Sequence, residues 1–152
     1  MFEVESHSVE ETMALGRQVA QRLQGGEILA LTGELGAGKT VFVKGLAEGL
    51  GIKDVITSPT FVLVKTYEGR LVLHHIDFYR LETPADLDSI GIDDYVQSGG
   101  VLAIEWAEKF QKELPQPYLQ ISFLFEENDH RLIHIKHPGD PDSEKGLASL
   151  FL

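Results

Sequence analysis

Lys39 and Thr40 close the stretch GELGAGKT, in which Gly33 is followed by four residues and then by Gly38-Lys39-Thr40. That spacing is the phosphate-loop pattern. Its chemistry is anion capture. Glycines let the backbone wrap a polyphosphate closely, where a Cβ would clash. Amide hydrogens and a helix N-terminus present positive ends to the anion. Lys39 would reach the β- and γ-phosphates, and the Thr40 hydroxyl would bind Mg²⁺. The residues expected around the phosphates are Gly33, Glu34, Gly36, Ala37, Gly38, Lys39, Thr40 and Val41.

Such a site needs a carboxylate at the end of a neighbouring strand, beside the metal. There are two candidates. VLAIE is an unbroken apolar run ending in Glu105, and LVLHHID ends in Asp77. The fully apolar run marks a central strand, which favours Glu105. Trp106 follows it; a tryptophan there is more often packing, but its place beside Glu105 brings it near the site. Thr60, in SPT, has the residue type of a switch threonine that senses a γ-phosphate; spacing alone favours a plain strand-opening turn set by Pro59. The histidines give no zinc set. His130 and His134 share one strand face but lie ~13 Å apart, and His74 and His75 point to opposite faces, so these are read as surface residues or supports for other groups.

The elements that must position these groups follow from periodicity. Ser8 and Glu11 read as a capping box, and Val9, Met13, Gly16, Ala20 and Leu23 recur at helical spacing up to Gly25-Gly26. EILALT is a buried strand feeding the loop, and KTVFVKGLAEGLG is the helix after it, closed by Gly51. FVLVKTY and LVLHHID flank the turn EGR as a hairpin. Thr83 caps a short helix with Pro84 at its first position. GGVLAIEW is a second buried strand, AEKFQKEL a helix, and YLQISFLFEE with RLIHIKH a second hairpin around NDH. GDPDSEKGLASLFL is read as a loop and a terminal helix. Strand–helix alternation interrupted by hairpins predicts a three-layer α/β domain over residues 1–152, with a parallel core and antiparallel additions.

Composition narrows the function. The chain has 152 residues, a net charge of −11 and no cysteine. No basic stripe exists to hold nucleic acid directly, so any nucleic-acid role is expected to be indirect. No apolar run approaches the ~20 residues of a membrane span, and the N-terminal stretch has no basic-then-apolar signal pattern. The lack of cysteine fits a reducing cytoplasm. A guanine-reading Asn-Lys-x-Asp element is absent, because the only asparagine is Asn128 in NDH. A small-molecule kinase usually clamps phosphates with lid arginines; of the five arginines, Arg17 and Arg22 sit on the first helix, leaving Arg70, Arg80 and Arg131 without an evident lid. The kinase stays as the alternative. An ATPase serving a partner needs only the loop, a metal carboxylate and a movable segment, and fits best.

GELGAGKT, SPTF, HIDFYRL, GIDDY and IEW occur in this order across nearly the whole chain. Each is weak alone, but the ordered set resembles the bacterial TsaE family, the P-loop NTPase of threonylcarbamoyladenosine tRNA modification. Glu34 in the loop and the C-terminal tail depart from its pattern. The resemblance implies ATP and Mg²⁺ as ligands, slow ATP hydrolysis by the isolated chain, and association with the TsaB–TsaD heterodimer, whose transferase cycle ATP turnover supports. It implies Thr40 and Glu105 as Mg²⁺ ligands, Asp77 and Thr60 as catalytic or switch residues, and nucleotide contacts near Val9 and from Arg131. The tRNA would be reached through the partners.

Overall fold

The computed structural model of the chain describes residues 2–34, 36–59, 61–128 and 130–137. In chain order its elements are β1 (Phe2–Ser6), α1 (Val9–Ala20), β2 (Ile28–Gly33), α2 (Lys39–Gly49), β3 (Val64–Tyr67), β4 (Leu73–Asp77), α3 (Pro84–Ile90), α4 (Ile92–Gln97), β5 (Val101–Glu105), a 3₁₀ segment (Ala107–Glu113), β6 (Leu119–Phe125) and β7 (Arg131–Lys136). The strands form one seven-stranded sheet in the order β1-β7-β6-β2-β5-β4-β3. β2 is parallel to both β5 and β6, and β4 is parallel to β5. The pairs β1–β7, β6–β7 and β3–β4 are antiparallel. The architecture is therefore the expected α/β sheet with a parallel core and antiparallel margins.

The strands without polar alternation lie at the centre because both of their faces are covered. Along β2, Leu29 and Leu31 face one apolar cluster, with Phe42 and Leu46 of α2 and Leu15 and Val19 of α1. Ile28 and Ala30 face the other, with Ile104, Phe78, Leu87 and Phe110. Fully burying a side chain such as Phe42 or Leu46 stabilises by roughly 1.5–3 kcal/mol. α1 packs on α2 with backbones nearly touching. A Cβ on Gly16 would lie 2.4 Å from the Phe42 carbonyl oxygen, and one on Gly45 would lie 2.0 Å from that of Met13. The loop helix is thus locked against α1 at two glycines.

Four local readings change. FEVES is a strand, β1, with Phe2 and Val4 packed on the core and Glu3 and Glu5 exposed. Its alternation spans only five residues, too short to stand out from the chain around it. The first hairpin strand begins at Val64 instead of Phe61, because Leu63 takes a left-handed conformation (φ 69°) and its amide bonds to the Pro59 carbonyl. AEKFQKEL is 3₁₀, broken at Phe110, whose ring turns in to meet Phe78 edge-on at 5.8 Å. Ser8 does cap α1 by accepting from the Glu11 amide, while Glu11 returns to the amide of His7 rather than of Ser8. The terminal helix read in 139–152 lies outside the described residues.

His74 gives a test of the β3–β4 margin. It is buried, bonded to the Thr66 and Ser98 hydroxyls, and desolvation holds its pKa below the usual imidazole value of 6.5. The unfolded chain then binds the proton more readily than the folded one, so stability is lost as pH falls through the unfolded-state value. Thermal melts should show Tm dropping as pH is lowered from above 6.5, with a shallower drop in His74→Gln. An equal slope in the variant would remove His74 from the account.

Candidate functional site

A cleft of about 410 Å³ opens where β2, β4 and β5 end. Open parallel sheets present ligand sites at the carboxyl ends of their strands. β2 delivers the Gly-rich loop, β4 delivers Asp77 and β5 delivers Glu105, with Asp77 and Glu105 directly paired in the parallel register. A larger cavity of about 750 Å³, lined by Gly25, Ile28 and Tyr118 among others, sits at the opposite end of the sheet. It holds neither the loop nor the carboxylate pair, so size does not mark the site.

The loop is set by backbone conformations that glycine tolerates. Gly36 and Gly38 have φ of 79° and 109°. Around Gly36 a Cβ would meet nothing within 4 Å, so the space beside it is open, whereas a Cβ on Gly38 would press on the Arg131 side chain at 3.0 Å. Gly38 then starts α2, and its own carbonyl accepts the Phe42 amide.

Lys39 is 4% exposed. Its ammonium donates to the Gly33 carbonyl at 2.5 Å and lies 3.5 Å from the centre of the Trp106 ring, a cation–π contact. Burial lowers its pKa, while Glu108, Glu105 and Asp77 oppose that shift. The charge is therefore held in a partly dry place by a carbonyl and a ring, with the carboxylates near. Trp106 reaches this position because it takes a left-handed conformation (φ 58°) directly after β5. Such a conformation in a bulky residue costs of order 1–3 kcal/mol and persists where its surroundings enforce it.

The Thr40 hydroxyl donates to both Glu105 oxygens, at 2.9 and 3.1 Å. Two oxygens on adjacent vertices of an octahedral Mg²⁺ shell, at 2.0–2.1 Å from the ion, lie ~2.9 Å apart. Hard oxygen donors at that separation fit Mg²⁺. His75, fully buried, donates through Nε2 to Glu105 Oε2 at 2.5 Å and so orients the carboxylate from behind. Asp77 accepts the Tyr79 amide at 2.8 Å, which fixes it at the turn after β4.

The cleft is lined by Gly36, Gly38, Lys39, Thr40, Val41, Asp77, Glu105, Trp106 and Arg131. Arg131, far along the chain and read as part of a remote hairpin, arrives because β7 runs back beside β6; it is buried and lies against Gly38. Gly33 and Glu34 support the loop from outside the lining: the Gly33 amide donates to Glu108 at 2.8 Å, and Glu34 is exposed with its carbonyl accepting the Ala37 amide. Ala37 is in the core. Val9 is half exposed at the start of α1 and does not line the cleft; Thr12, one turn on, is the α1 residue that approaches Gly38. Thr60 lies outside the described residues. Sequence reasoning missed Ser58 and Tyr79, which also line the cleft, and the specific partnership of His75 with Glu105. The two-residue period of β4, which puts His75 and Asp77 on one face, was the available signal for the last.

Comparison with known proteins gives a consistent result. The profile of the family described as Threonylcarbamoyl adenosine biosynthesis protein TsaE matches residues 6–133. The tRNA threonylcarbamoyladenosine biosynthesis protein TsaE of Treponema pallidum is 48% identical over 117 residues, 77% of this chain and 87% of its own length. That of Bacillus subtilis is 44% identical over 125 residues, 82% of this chain and 78% of its own length. The crystal structure of Bacillus subtilis YdiB superposes with a TM-score of 0.83 at 36% identity, covering 98% of this chain and 93% of the other.

Proposed function

This chain belongs to the TsaE family of threonylcarbamoyladenosine biosynthesis proteins, and from that membership we propose that it is a Mg²⁺-dependent P-loop ATPase whose turnover supports the cycle of the TsaB–TsaD transferase on tRNA. The observation that carries the reading is the Thr40–Glu105 contact beside Lys39: one hydroxyl and one carboxylate at metal-sharing distance, next to a buried ammonium. In this reading residues 1–152 form one ATPase domain. Lys39 offsets charge on the β- and γ-phosphates, and the amides of Gly36, Gly38 and Val41 with Arg131 hold the triphosphate. Thr40 and Glu105 hold Mg²⁺, which when bound neutralises charge on the phosphates. Asp77 is the group available to orient the attacking water, with Thr60 as the switch residue, and α1 comes nearest the loop through Thr12, one turn after Val9.

Partner docking has independent support. Phe61 is 85% and Tyr79 51% exposed, and Tyr79 also lines the cleft. Large apolar side chains grouped at the mouth of a polar site mark an interaction surface. The net charge of −11 supports a tRNA held by the partners instead of by this chain. No helix among the described residues is long and apolar enough to cross a membrane, and the proposed place of work is the cytoplasm.

The test is phosphate release from ATP and from GTP by the purified chain, with Mg²⁺ and with chelator. Release from ATP that requires Mg²⁺, and weaker competition by GTP, is the expected result. Equal affinity for the two would show that the base is not read, and no Mg²⁺-dependent release above a protein-free blank would overturn the ATPase reading.

A further inference from the structure

The edge strand β1 brings Glu5 and His7 against His130, which lies far along the sequence. The antiparallel register of β1 on β7 ends with Ser6 opposite Arg131, and the residues just beyond that pair, His7 and His130, meet ring to ring. The two imidazoles stack, with centroids 4.5 Å apart and planes 10° from parallel. Glu5, on the same face as His7, points its Oε2 at both rings, 3.7 Å from His7 Nε2 and 3.9 Å from His130 Nε2. One ligand atom from each of Glu5, His7 and His130 falls within 4.8 Å of the others.

A second arrangement prepares one of these donors. Glu126 Oε2 accepts from His130 Nδ1 at 2.9 Å. The hairpin closes beneath this contact, since the Glu126 amide bonds to the His130 carbonyl. A carboxylate on Nδ1 fixes the proton there and leaves Nε2 as a lone-pair donor, the arrangement that orients metal-binding histidines. His130 Nε2 is shielded from solvent and makes no hydrogen bond. An ordinary surface ion pair does not leave a shielded nitrogen facing a carboxylate and a second imidazole.

We infer that Glu5, His7 and His130 form a divalent transition-metal site, of the Zn²⁺ class, outside the nucleotide cleft. Two imidazoles and one carboxylate suit Zn²⁺ and its first-row neighbours, whereas Mg²⁺ and Ca²⁺ take oxygen ligands. Tetrahedral Zn²⁺ at 2.0–2.2 Å from its ligands needs donors ~3.4 Å apart. The present distances exceed that by less than an ångström at the two Glu5 contacts. Glu5 and His7 have side chains about 60% exposed and can swing inward, while Glu126 steadies His130. Three protein ligands leave a fourth position for water. Metal here would tie the start of α1 to the β6–β7 turn, beside Arg131.

The proposal does not depend on the ATPase reading, and its test uses none of that activity. Zn²⁺ is titrated calorimetrically into the nucleotide-free full chain, with Co²⁺ absorption reporting the ligand geometry. One site is expected, lost in His7→Ala and in His130→Ala, weakened about 10–100-fold in Glu126→Gln, and kept in Glu105→Gln. All but the last of these substitutions are at the junction after β1 or in the β6–β7 turn, and circular dichroism checks that each variant is folded. Binding that survives both histidine substitutions, binding lost in Glu105→Gln, or no binding by the unmodified chain would each overturn it.

Discussion

Lys39→Ala should lower ATP turnover by about 10²–10³-fold, the usual cost of removing a preorganised group that stabilises charge in the transition state. Lys39 is the buried cation of the loop and lines the cleft. Its ammonium is held by the Gly33 carbonyl and the Trp106 face. A triphosphate would offer that ammonium the opposite charge it faces only at a distance in Glu105, Glu108 and Asp77. Alanine also removes a buried charge from between those carboxylates, so the variant's melting temperature must be measured beside its rate. A folded Lys39→Ala protein with unchanged ATP affinity and turnover would exclude this loop as the nucleotide site.

Glu105→Gln should abolish most Mg²⁺-dependent hydrolysis, about 10²-fold or more, while leaving part of the nucleotide binding. The amide keeps the shape of the carboxylate but not its charge, and a hard cation loses the stronger ligand. The change also touches His75, which donates to Glu105 Oε2 in a place closed to water. Glutamine can still accept that bond through its oxygen, so the fold should survive. The diagnostic is Mg²⁺ dependence: the variant should need far more Mg²⁺ for half-maximal rate. Unmodified activity at limiting Mg²⁺ would move the metal role to Asp77, its neighbour in the register.

The parts of this site that were legible in the sequence are the local ones. A glycine loop between an apolar strand and a helix is encoded within a dozen residues, and Lys39, Thr40 and the carboxylates at strand ends follow from it. Central β2 and β5 were legible because burial on both faces removes polar alternation. What could not be read was sheet register. Whether Glu105 or Asp77 stands nearer Thr40 depends on how β2, β4 and β5 are stacked, and no residue spacing carries that. Arg131 joins the cleft only through the β6–β7 pairing. β1 was passed over because five alternating residues are a weak signal, and with it went the meeting of His7 and His130. The left-handed turn at Trp106 that carries its ring over Lys39 has no local sequence signature, since glycine is the residue that usually takes that conformation.

We propose that this chain spends ATP in the service of a partner. Arg131 supplies one positive group within the cleft, while Arg80 lies over the exposed Phe61 ring, 5.5 Å from its centre. An arginine newly placed on the transferring phosphate can be worth ~10³–10⁵ in rate, so docking at the Phe61–Tyr79 surface has large scope to complete or reorder the site. The direct measurement is steady-state ATP turnover with and without the TsaB–TsaD heterodimer, in the unmodified chain and in Asp77→Ala. The heterodimer should raise the rate, and Asp77→Ala should blunt this rise more than it weakens ATP binding. A rate indifferent to the heterodimer but accelerated by a small metabolite that becomes phosphorylated would contradict it, and would make the chain a kinase.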